Sequence, residues 1–369
     1  FVNLSPNQIN FFMFKLNCTK LFLVIFIAFN FITAQTPDYY SSIDFSQQGN
    51  ALKTQLSNLI IDTHITDIPY TSSSTDTWDI LRISDLENPN SENVLLIYGF
   101  DDNDGTYITD RTRNAFDTCH SSSCLGLWNR EHVFAKSLAN PSLITNEPGS
   151  GTDAHNLRAA DSQKNTQRSN RLFIDDSGED SKIVNGDYFF PGDEWKGDVA
   201  RIIMYMYLRY PSQCQAIDSA TGSVNYSPNG DMPDVFLEWN EEDPVSALEL
   251  TRNDVISSYQ GNRNPFIDNP YLATLIWNGP AAVDSWGTLS TTVENEVSIH
   301  ISPTITNRTI TISGLDDIEF KLLIYSQLGQ KMIYSSTSKT IDVSSFPSGL
   351  YILNLETTKG NYQSKFIVK

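Results

Sequence analysis

Two short segments, residues 127–133 (LWNREHV) and residues 153–157 (DAHNL), decide how the rest of this chain is interpreted. The first segment places Glu131 beside His132, and the second is followed by Asn165. Hard divalent cations such as Mg²⁺ prefer carboxylate and amide oxygens, and Mg²⁺ usually keeps several of its waters. A histidine with a pKa near ~6.5 can accept a proton from water at neutral pH. The pattern therefore favours one divalent cation beside a general base.

Basic residues are concentrated around the same segments, at Arg130, Arg158, Lys164, Arg168 and Arg171. Cationic side chains bind phosphate through charge-assisted hydrogen bonds, so this set indicates a phosphodiester substrate. On a helix, Arg168 would point roughly the same way as Asn165, three residues earlier, and would contact the substrate phosphate. The alternative for Arg168 is an internal salt bridge with Asp153 or Asp161.

Rival hydrolytic chemistries lack their residues. A zinc protease needs two histidines four apart on a helix with a glutamate between them. Here Glu131 and His132 are adjacent, and the next histidine, His155, is 23 residues away. The chain also has no G-x-S-x-G elbow and no P-loop. Because a single histidine is more often structural than catalytic, the argument depends on the whole constellation.

At these positions the chain resembles the secreted and periplasmic bacterial endonuclease I family. The resemblance is carried by residues 129–133, 153–157, 165–170 (NTQRSN), 197–201 (GDVAR) and 260–266 (QGNRNPF). It implies an α+β fold, with a mostly helical nuclease domain around an embedded ββα-metal (His-Me) finger. It also implies cleavage of DNA, and often of RNA, with little sequence preference and with 5′-phosphate products.

Carried over by position, the general base of the family is His132, and the ligands of one metal ion are Glu131 and Asn165. Mg²⁺ is the expected ion, with Ca²⁺ or Mn²⁺ as alternatives. Neighbouring side chains of a strand point to opposite faces, so we expect Glu131 and His132 to flank a phosphate. Supporting or substrate-binding roles are expected for Arg130, Asp153, His155, Asn156, Arg158, Asn170 and Arg171.

The N-terminal region is typical of a secretory signal. Lys15 and Lys20 precede or border an apolar run at residues 21–32, and Ala34 is a small residue at the expected cleavage point. Residues 1–12 are interpreted as an upstream extension. The apolar run is too short to span a membrane comfortably, so we expect no transmembrane segment in the mature chain.

Export to an oxidising compartment changes the interpretation of cysteine. Cys18 would be removed with the signal, which leaves Cys119, Cys124 and Cys214. Cys119 and Cys124 are close enough to form a disulfide just before the predicted active strand. The alternative is three reduced thiols.

Apolar periodicity predicts helices within residues 44–64, 78–86, 195–210, 233–242 and 244–259. Residues 74–76 supply capping side chains for the second of these. Residues 94–98 (VLLIY) are apolar and rich in β-forming side chains, so they predict a buried strand.

The composition changes near residue 291, and residues 297–369 alternate apolar and polar side chains between short turns, which predicts a small all-β sandwich. This region resembles the C-terminal sorting domain of the type IX secretion system, through residues 325–330 (YSQLGQ), 346–351 (FPSGLY) and 365–369 (KFIVK). We therefore divide the chain into residues 1–34, an extension and signal; residues 35–290, the nuclease-like domain; and residues 297–369, the sorting domain.

The formal charge of the chain is −19, which is unusual for a protein that binds nucleic acid. Within residues 126–171, however, six basic and four acidic residues give a local charge of +2. Screening over about 8 Å in physiological salt lets such a patch act within an acidic protein. We expect weak, salt-sensitive binding to the phosphate backbone of DNA, and of RNA.

These observations predict a secreted or cell-surface, metal-dependent, non-specific endonuclease that is exported through the periplasm by the type IX machinery and is a monomer. The alternative, from another class, is a binding protein whose nuclease-like scaffold has lost activity. Intact Glu131, His132 and Asn165 favour the enzyme.

Overall fold

The computed structural model describes residues 36–121, 124–287, 300–313, 320–327, 330–333, 338–357 and 360–369. The expected signal and the residues before it lie outside these ranges. No helix within the described ranges is long and apolar enough to cross a membrane.

The described chain up to residue 287 contains eight α-helices, and most of the longer ones form where apolar residues recur at helical spacing. They are α1 (Gly49–Asp62), α2 (Thr77–Ser84), α3 (Ser162–Arg168), α4 (Lys196–Arg209), α5 (Asp234–Glu242), α6 (Ala247–Gln260), α7 (Pro265–Asp268) and α8 (Tyr271–Trp277). The predicted cap of α2 is present, because Asp76 accepts hydrogen bonds from the backbone amides of Trp78 and Asp79. Ser246 and Glu249 form the same reciprocal cap at the start of α6.

Helix α4 is the centre of the large hydrophobic core. It is buried on nearly all sides from Gly197 to Leu208, and it packs against α1 and α5. Leu52, Leu56 and Ile60 are the buried face of α1. A helix buried all round needs an apolar surface all round, which explains the run of residues 202–208 (IIMYMYL).

The predicted strand at residues 94–98 is shorter than expected. Strand β1 (Asn93–Leu95) pairs antiparallel with β2 (Thr112–Asn114) and ends there. Tyr98 has a positive φ of 74°, and Gly99 approaches the Asp110 backbone so closely that a Cβ would lie 2.1 Å from its carbonyl oxygen. The apolar run therefore stays buried but leaves strand geometry, and this redirects the Tyr98 side chain.

A ββα unit lies at the middle of the chain. Strand β3 (Trp128–His132) pairs antiparallel with β4 (Leu157–Asp161), with His132 opposite Leu157 and Trp128 opposite Asp161. Helix α3 follows β4 without a loop, because Asp161 ends the strand and accepts hydrogen bonds from the backbone amides of Gln163 and Lys164. A second small sheet, β5 (Leu172–Phe173), β7 (Tyr188–Phe190) and β6 (Lys182–Val184), follows this unit.

The described part of the C-terminal region contains β-strands and no helix, as predicted. One sheet has the order β13 (Thr340–Asp342), β10 (Thr309–Ser313), β8 (His300–Ser302). The other has the order β12 (Lys331–Ile333), β11 (Phe320–Ser326), β14 (Gly349–Thr357), β15 (Gly360–Val368), β9 (Ile305–Thr306). Side chains from both sheets, including Ile310 and Leu353, form one hydrophobic cluster separate from that of α4.

The fold is α+β, but the expectation of a mostly helical nuclease domain is wrong. Helices account for 31% and strands for 20% of the structure. Long irregular segments occupy much of the remainder, and their backbone groups are satisfied by side chains; Asp102, for example, accepts hydrogen bonds from the amides of Arg111 and Thr112. Helical periodicity detects the helices but gives no signal for such segments.

Candidate active site

A polar cleft of about 560 Å³ opens at the end of β3. Its walls come from β3, from the turn that follows it, from α3 and from two more distant loops. The lining residues are Tyr70, Ser121, Asn129, Arg130, Glu131, His132, Ala135, Lys136, Ser137, Asn165, Ser169 and Asn170. The structure thus brings together the predicted base and both predicted metal ligands.

Glu131 lies at the wall of this cleft and is only 2% exposed. Its Oε1 atom accepts a hydrogen bond of 3.1 Å from the hydroxyl of Tyr98 and lies 3.4 Å from Nε of Arg168. No side chain of the described residues donates a hydrogen bond to Oε2 of Glu131, while a hydrogen bond from the His132 backbone favours the charged carboxylate. Burial raises the pKa of Glu131 to about 7, although Arg168 opposes the rise. The carboxylate therefore has one oxygen held by the side chains of Tyr98 and Arg168 and a second oxygen without a side-chain partner among the described residues.

His132 is oriented by a backbone carbonyl. Its Nε2 atom lies 2.8 Å from the carbonyl oxygen of Gly151, which can only accept, so Nε2 carries the proton and donates it. Burial lowers the pKa of His132 to about 3, so the ring is neutral at neutral pH. The Nδ1 atom is then a proton acceptor. The Tyr70 ring stacks on the imidazole, with 5.7 Å between ring centroids.

Gly151 can supply this carbonyl because it has no side chain. A Cβ at this position would lie 1.9 Å from the carbonyl oxygen of Ile144. The close approach of the two backbones therefore requires glycine, independently of φ.

Asn165 projects into the cleft from α3. Its Nδ2 atom donates a hydrogen bond of 2.8 Å to Oδ1 of Asn129, and none of the described residues donates to its Oδ1 atom. An amide oxygen and a carboxylate oxygen are thus available in the same cleft. The described residues contain no group of three or more His, Cys, Asp or Glu side chains that could hold a metal. The residues present fit a hard cation that keeps several waters better than a dedicated protein cage.

Arg168 is fully buried, unlike a residue that contacts a substrate from a surface. Its guanidinium donates to the carbonyl oxygens of Val133 and Ser169 at 2.7 and 2.9 Å, and it lies over the Phe173 ring. Its carboxylate neighbour is Glu131 rather than Asp153 or Asp161. The structure therefore places Arg168 behind Glu131, where it fixes the carboxylate and the end of β3.

The other clustered cations also have protein partners. Arg130 lies between the Tyr70 and Trp78 rings and donates to Thr71 and Thr77. Arg158 is fully buried and pairs with Asp198 and Asp85. Lys164 donates to the carbonyl of Ser181, and Arg171 to that of Gln167. Of these four, only Arg130 lines the cleft.

The second sequence segment, residues 153–157, does not line the cleft and packs behind it. Asp153 accepts hydrogen bonds from Tyr205, Tyr210 and Gln260. Nε2 of His155 lies 3.2 Å from the carbonyl oxygen of Asn262.

Asn156 holds the chain directly after His132. Its side chain accepts from the backbone amide of Phe134 and donates to the carbonyl of the same residue. Two of the predicted supporting residues, Asn170 and Arg171, follow α3, and of these Asn170 lines the cleft. Its Nδ2 atom donates a hydrogen bond to Oγ of Ser137.

The predicted disulfide between Cys119 and Cys124 is present, and Cys214 is buried as a free thiol. Ser121, within the loop that this disulfide closes, lines the cleft. The Cys124 amide donates to Oγ of Ser162, the first residue of α3. The disulfide loop is thereby joined to the helix that carries Asn165.

Comparison with protein-family models matches residues 48–271 to Endonuclease I and residues 298–369 to the secretion system C-terminal sorting domain. The first match covers more than half of the chain. The chain belongs to the Endonuclease I family. Both resemblances that were inferred from the sequence are thus confirmed.

Two characterised relatives are similar to this nuclease over most of their length. The extracellular ribonuclease of Bacillus amyloliquefaciens is 36% identical over 254 residues, which cover 66% of this chain and 80% of the relative. The extracellular ribonuclease of Bacillus subtilis (strain 168) is 36% identical over 253 residues, with the same coverage. Together with the sorting domain, these relatives identify the protein as a secreted or cell-surface nuclease.

Tyr98 and Gly151, which hold Glu131 and His132 in place, were not predicted from the sequence as part of the site. Tyr98 was interpreted only as part of a buried strand, and its contact with Glu131 depends on the positive φ that ends that strand. Gly151 gave no signal beyond its proximity to residues 153–157, because a backbone carbonyl has no sequence signature. Tyr98 and Gly151 each hold a residue that was predicted from the motif, Glu131 and His132 respectively.

Proposed function

We propose that this secreted nuclease hydrolyses phosphodiester bonds of DNA and RNA by water attack, with His132 as the general base. We further propose that Glu131 and Asn165 hold one divalent cation, Mg²⁺. The observation that carries the proposal is the hydrogen bond of 2.8 Å between His132 and the Gly151 carbonyl, which leaves Nδ1 as an acceptor in the same cleft as Glu131.

The protein holds His132 in the form that a base requires. Burial keeps the ring neutral, and the Gly151 carbonyl selects the tautomer protonated on Nε2. Tyr70 restricts the tilt of the ring. A water at Nδ1 would therefore meet an acceptor whose position is fixed before substrate binds, which favours proton transfer by geometry.

Glu131 and Asn165 would hold the cation, through a carboxylate oxygen and an amide oxygen. When bound, a divalent cation stabilises negative charge on a phosphate and on its leaving oxygen. Tyr98 and Arg168 bind the other oxygen of Glu131, so they orient the carboxylate without occupying its free oxygen. In this proposal Arg168 is a positioning residue, and it does not contact the phosphate itself.

Both nucleic acids are proposed as substrates because the two kinds of similarity point to both. The family is named for endonuclease activity, and the two Bacillus relatives are extracellular ribonucleases. The alternative of an inactive binding protein lacks comparable support, since the family and both relatives are enzymes.

The deciding experiment compares the wild type with His132→Ala on plasmid DNA and on ribosomal RNA, with Mg²⁺ and with EDTA. We expect His132→Ala to lower kcat by ~10²–10⁴-fold on both substrates, the usual contribution of a positioned proton acceptor. EDTA should stop cleavage by the wild type. A His132→Ala enzyme that cuts at nearly the wild-type rate would rule out the assignment.

His120→Ala is the matched control. His120 is an exposed histidine that contacts Trp78 and does not line the cleft. Its substitution should leave kcat on both substrates within about two-fold, as expected for an exposed side chain that does not line the cleft. Thermal melts of all three proteins would show that any loss at His132 does not arise from unfolding.

A further inference from the structure

The proposed substrate is a polyanion. The basic residues that lie near the motif in the sequence, however, are buried or already bound to other groups of the protein. Arg158 and Arg168 are fully buried, and Lys164 is 5% exposed. Arg130 is stacked between two aromatic rings and donates to neighbouring oxygens. Arg171 donates to two backbone carbonyls and does not line the cleft.

Lys136 differs from all of them. It is the first residue of a 3-10 turn, Lys136–Leu138, that begins four residues after His132, and its side chain lines the cleft and is exposed. None of the hydrogen bonds or ion pairs formed by the described residues involves its ammonium group. Its backbone is fixed, because the Lys136 carbonyl accepts a hydrogen bond of 3.0 Å from the amide of Leu143.

The surroundings of Lys136 leave its charge available. The neighbouring rim consists of hydroxyl and amide side chains, with Asn170 donating to Ser137 at 3.1 Å. The cleft lining contains one carboxylate, Glu131, and this is already in contact with Arg168 and Tyr98. An exposed ammonium with no carboxylate partner at a cleft rim has the charge and the hydrogen-bond donors to bind a phosphate.

We propose that Lys136 binds a backbone phosphate of the substrate strand. This inference rests on the proposed function, and it adds a substrate-binding residue that the motif does not include. In a nuclease with a formal charge of −19, an exposed cation beside the base and the metal ligands would attract the strand to the cleft locally.

The test measures kcat and KM for a short DNA duplex in Mg²⁺ across a series of NaCl concentrations. The proteins are full-length wild type, Lys136→Gln, Lys136→Arg and the control Lys182→Gln. Lys182 is also partly exposed, but it pairs with Asp176 and does not line the cleft. Each Gln variant removes one positive charge, so only the position of the charge differs.

We expect Lys136→Gln to raise KM at low salt about ten-fold and to leave kcat within about two-fold, as for loss of one charge-assisted phosphate contact. The slope of log(kcat/KM) against log[NaCl] should fall in magnitude by about one. Lys136→Arg should restore both, and Lys182→Gln should match the wild type. A purely structural role for Lys136 would instead lower the thermal midpoint and leave the salt slope unchanged.

Three results would overturn the inference: an unchanged salt slope in Lys136→Gln, a fall in kcat with KM unchanged, or the same slope change in Lys182→Gln. These results are distinct from failure of the proposed function, in which the wild type itself does not cut the duplex in Mg²⁺. Wild-type cleavage with an unaffected Lys136→Gln variant would leave the nuclease assignment standing and remove Lys136 from the substrate path.

Discussion

Two regions of the nuclease are rich in charged and polar groups, and they use them differently. In the cleft, atoms of Glu131, His132 and Asn165 retain unused hydrogen-bonding or ligand capacity among the described residues. In the buried ion-pair network, the charges face one another; its members are Asp85, Arg158, Asp198, Arg201, Glu249 and Arg252. Motif residues occur in both regions, so membership of a motif does not by itself indicate contact with substrate.

The two regions differ in what holds each of them in place. A buried ion pair is costly to form and still more costly to break on one side, because the remaining charge is left without a partner. A polar group in the cleft that lacks a partner lowers the stability of the free protein, and binding of a ligand or metal can supply that partner. We therefore expect substitutions in the network to reduce stability and substitutions around the cleft to reduce turnover.

The largest effect should follow Arg158→Met. Asp198 would lose its arginine partner in the interior, and this should lower the free energy of unfolding by about 3–5 kcal/mol. The kcat of the folded fraction should stay within about three-fold of wild type, since the substitution leaves the cleft groups in place. Urea unfolding and activity measured below the transition would check both values.

Arg111→Met is the matched control for this prediction. Arg111 pairs with Glu194, and both side chains are more than a third exposed. Loss of an exposed pair should cost only ~0–1 kcal/mol. Equal losses from the two substitutions would contradict the distinction between buried and exposed pairs.

On the cleft side, Gly151→Ala should reduce turnover more than it reduces stability. The new Cβ would collide with the Ile144 carbonyl, so the backbone at Gly151 or Ile144 must shift, and this should displace the carbonyl that holds His132. A misplacement of about 1 Å at a catalytic group can cost ~10²-fold, and we expect a loss of that order in kcat. Steady-state kinetics on DNA would measure it.

Gly149→Ala provides the comparison within the same loop. A Cβ there would meet no atom within 4 Å, although the φ of 155° introduces some backbone strain. The Gly149→Ala variant should lose stability, but its kcat should fall much less than that of Gly151→Ala. If both substitutions reduce kcat equally, general loosening of the loop rather than the His132 contact is responsible.

The smallest effect should come from pH acting on His155, outside the cleft. Burial lowers the pKa of His155 to about 4, against ~6.5 in an unfolded chain. Between these values the unfolded state binds the extra proton, so the stability contributed by this group is present at pH 7 and is lost as the pH falls towards 4. Lowering the pH from 7 to 5 should therefore cost the wild type roughly 1–2 kcal/mol through His155.

His155→Gln removes this titration while keeping an amide that can donate to the Asn262 carbonyl. The difference in unfolding free energy between wild type and variant should narrow by roughly 1–2 kcal/mol on acidification. Chemical denaturation at pH 7 and pH 5 measures it. A difference that does not change with pH would show that His155 is not buried in its neutral form.

Several features could be predicted from the sequence because they depend on neighbouring residues. The cap at Asp76, the α4 stripe and the alternating strands of the C-terminal region all repeat at short range. The disulfide between Cys119 and Cys124 could be predicted for the same reason, since a loop this short brings the thiols together. The mostly helical expectation was wrong because irregular segments stabilised by side chains have no period.

The sequence by itself determined the family, the secreted character and the identity of the residues that line the cleft from β3 and α3, because each depends on short motifs of neighbouring residues. Only the tertiary structure decided the role of each cation. Arg168, Arg158 and Lys136 are equivalent as positive charges along the chain, but the first lies behind Glu131, the second is buried against Asp198 and Asp85, and the third faces the cleft. Charge is a property of the residue, whereas its availability depends on which distant side chains surround it, and folding alone fixes those neighbours.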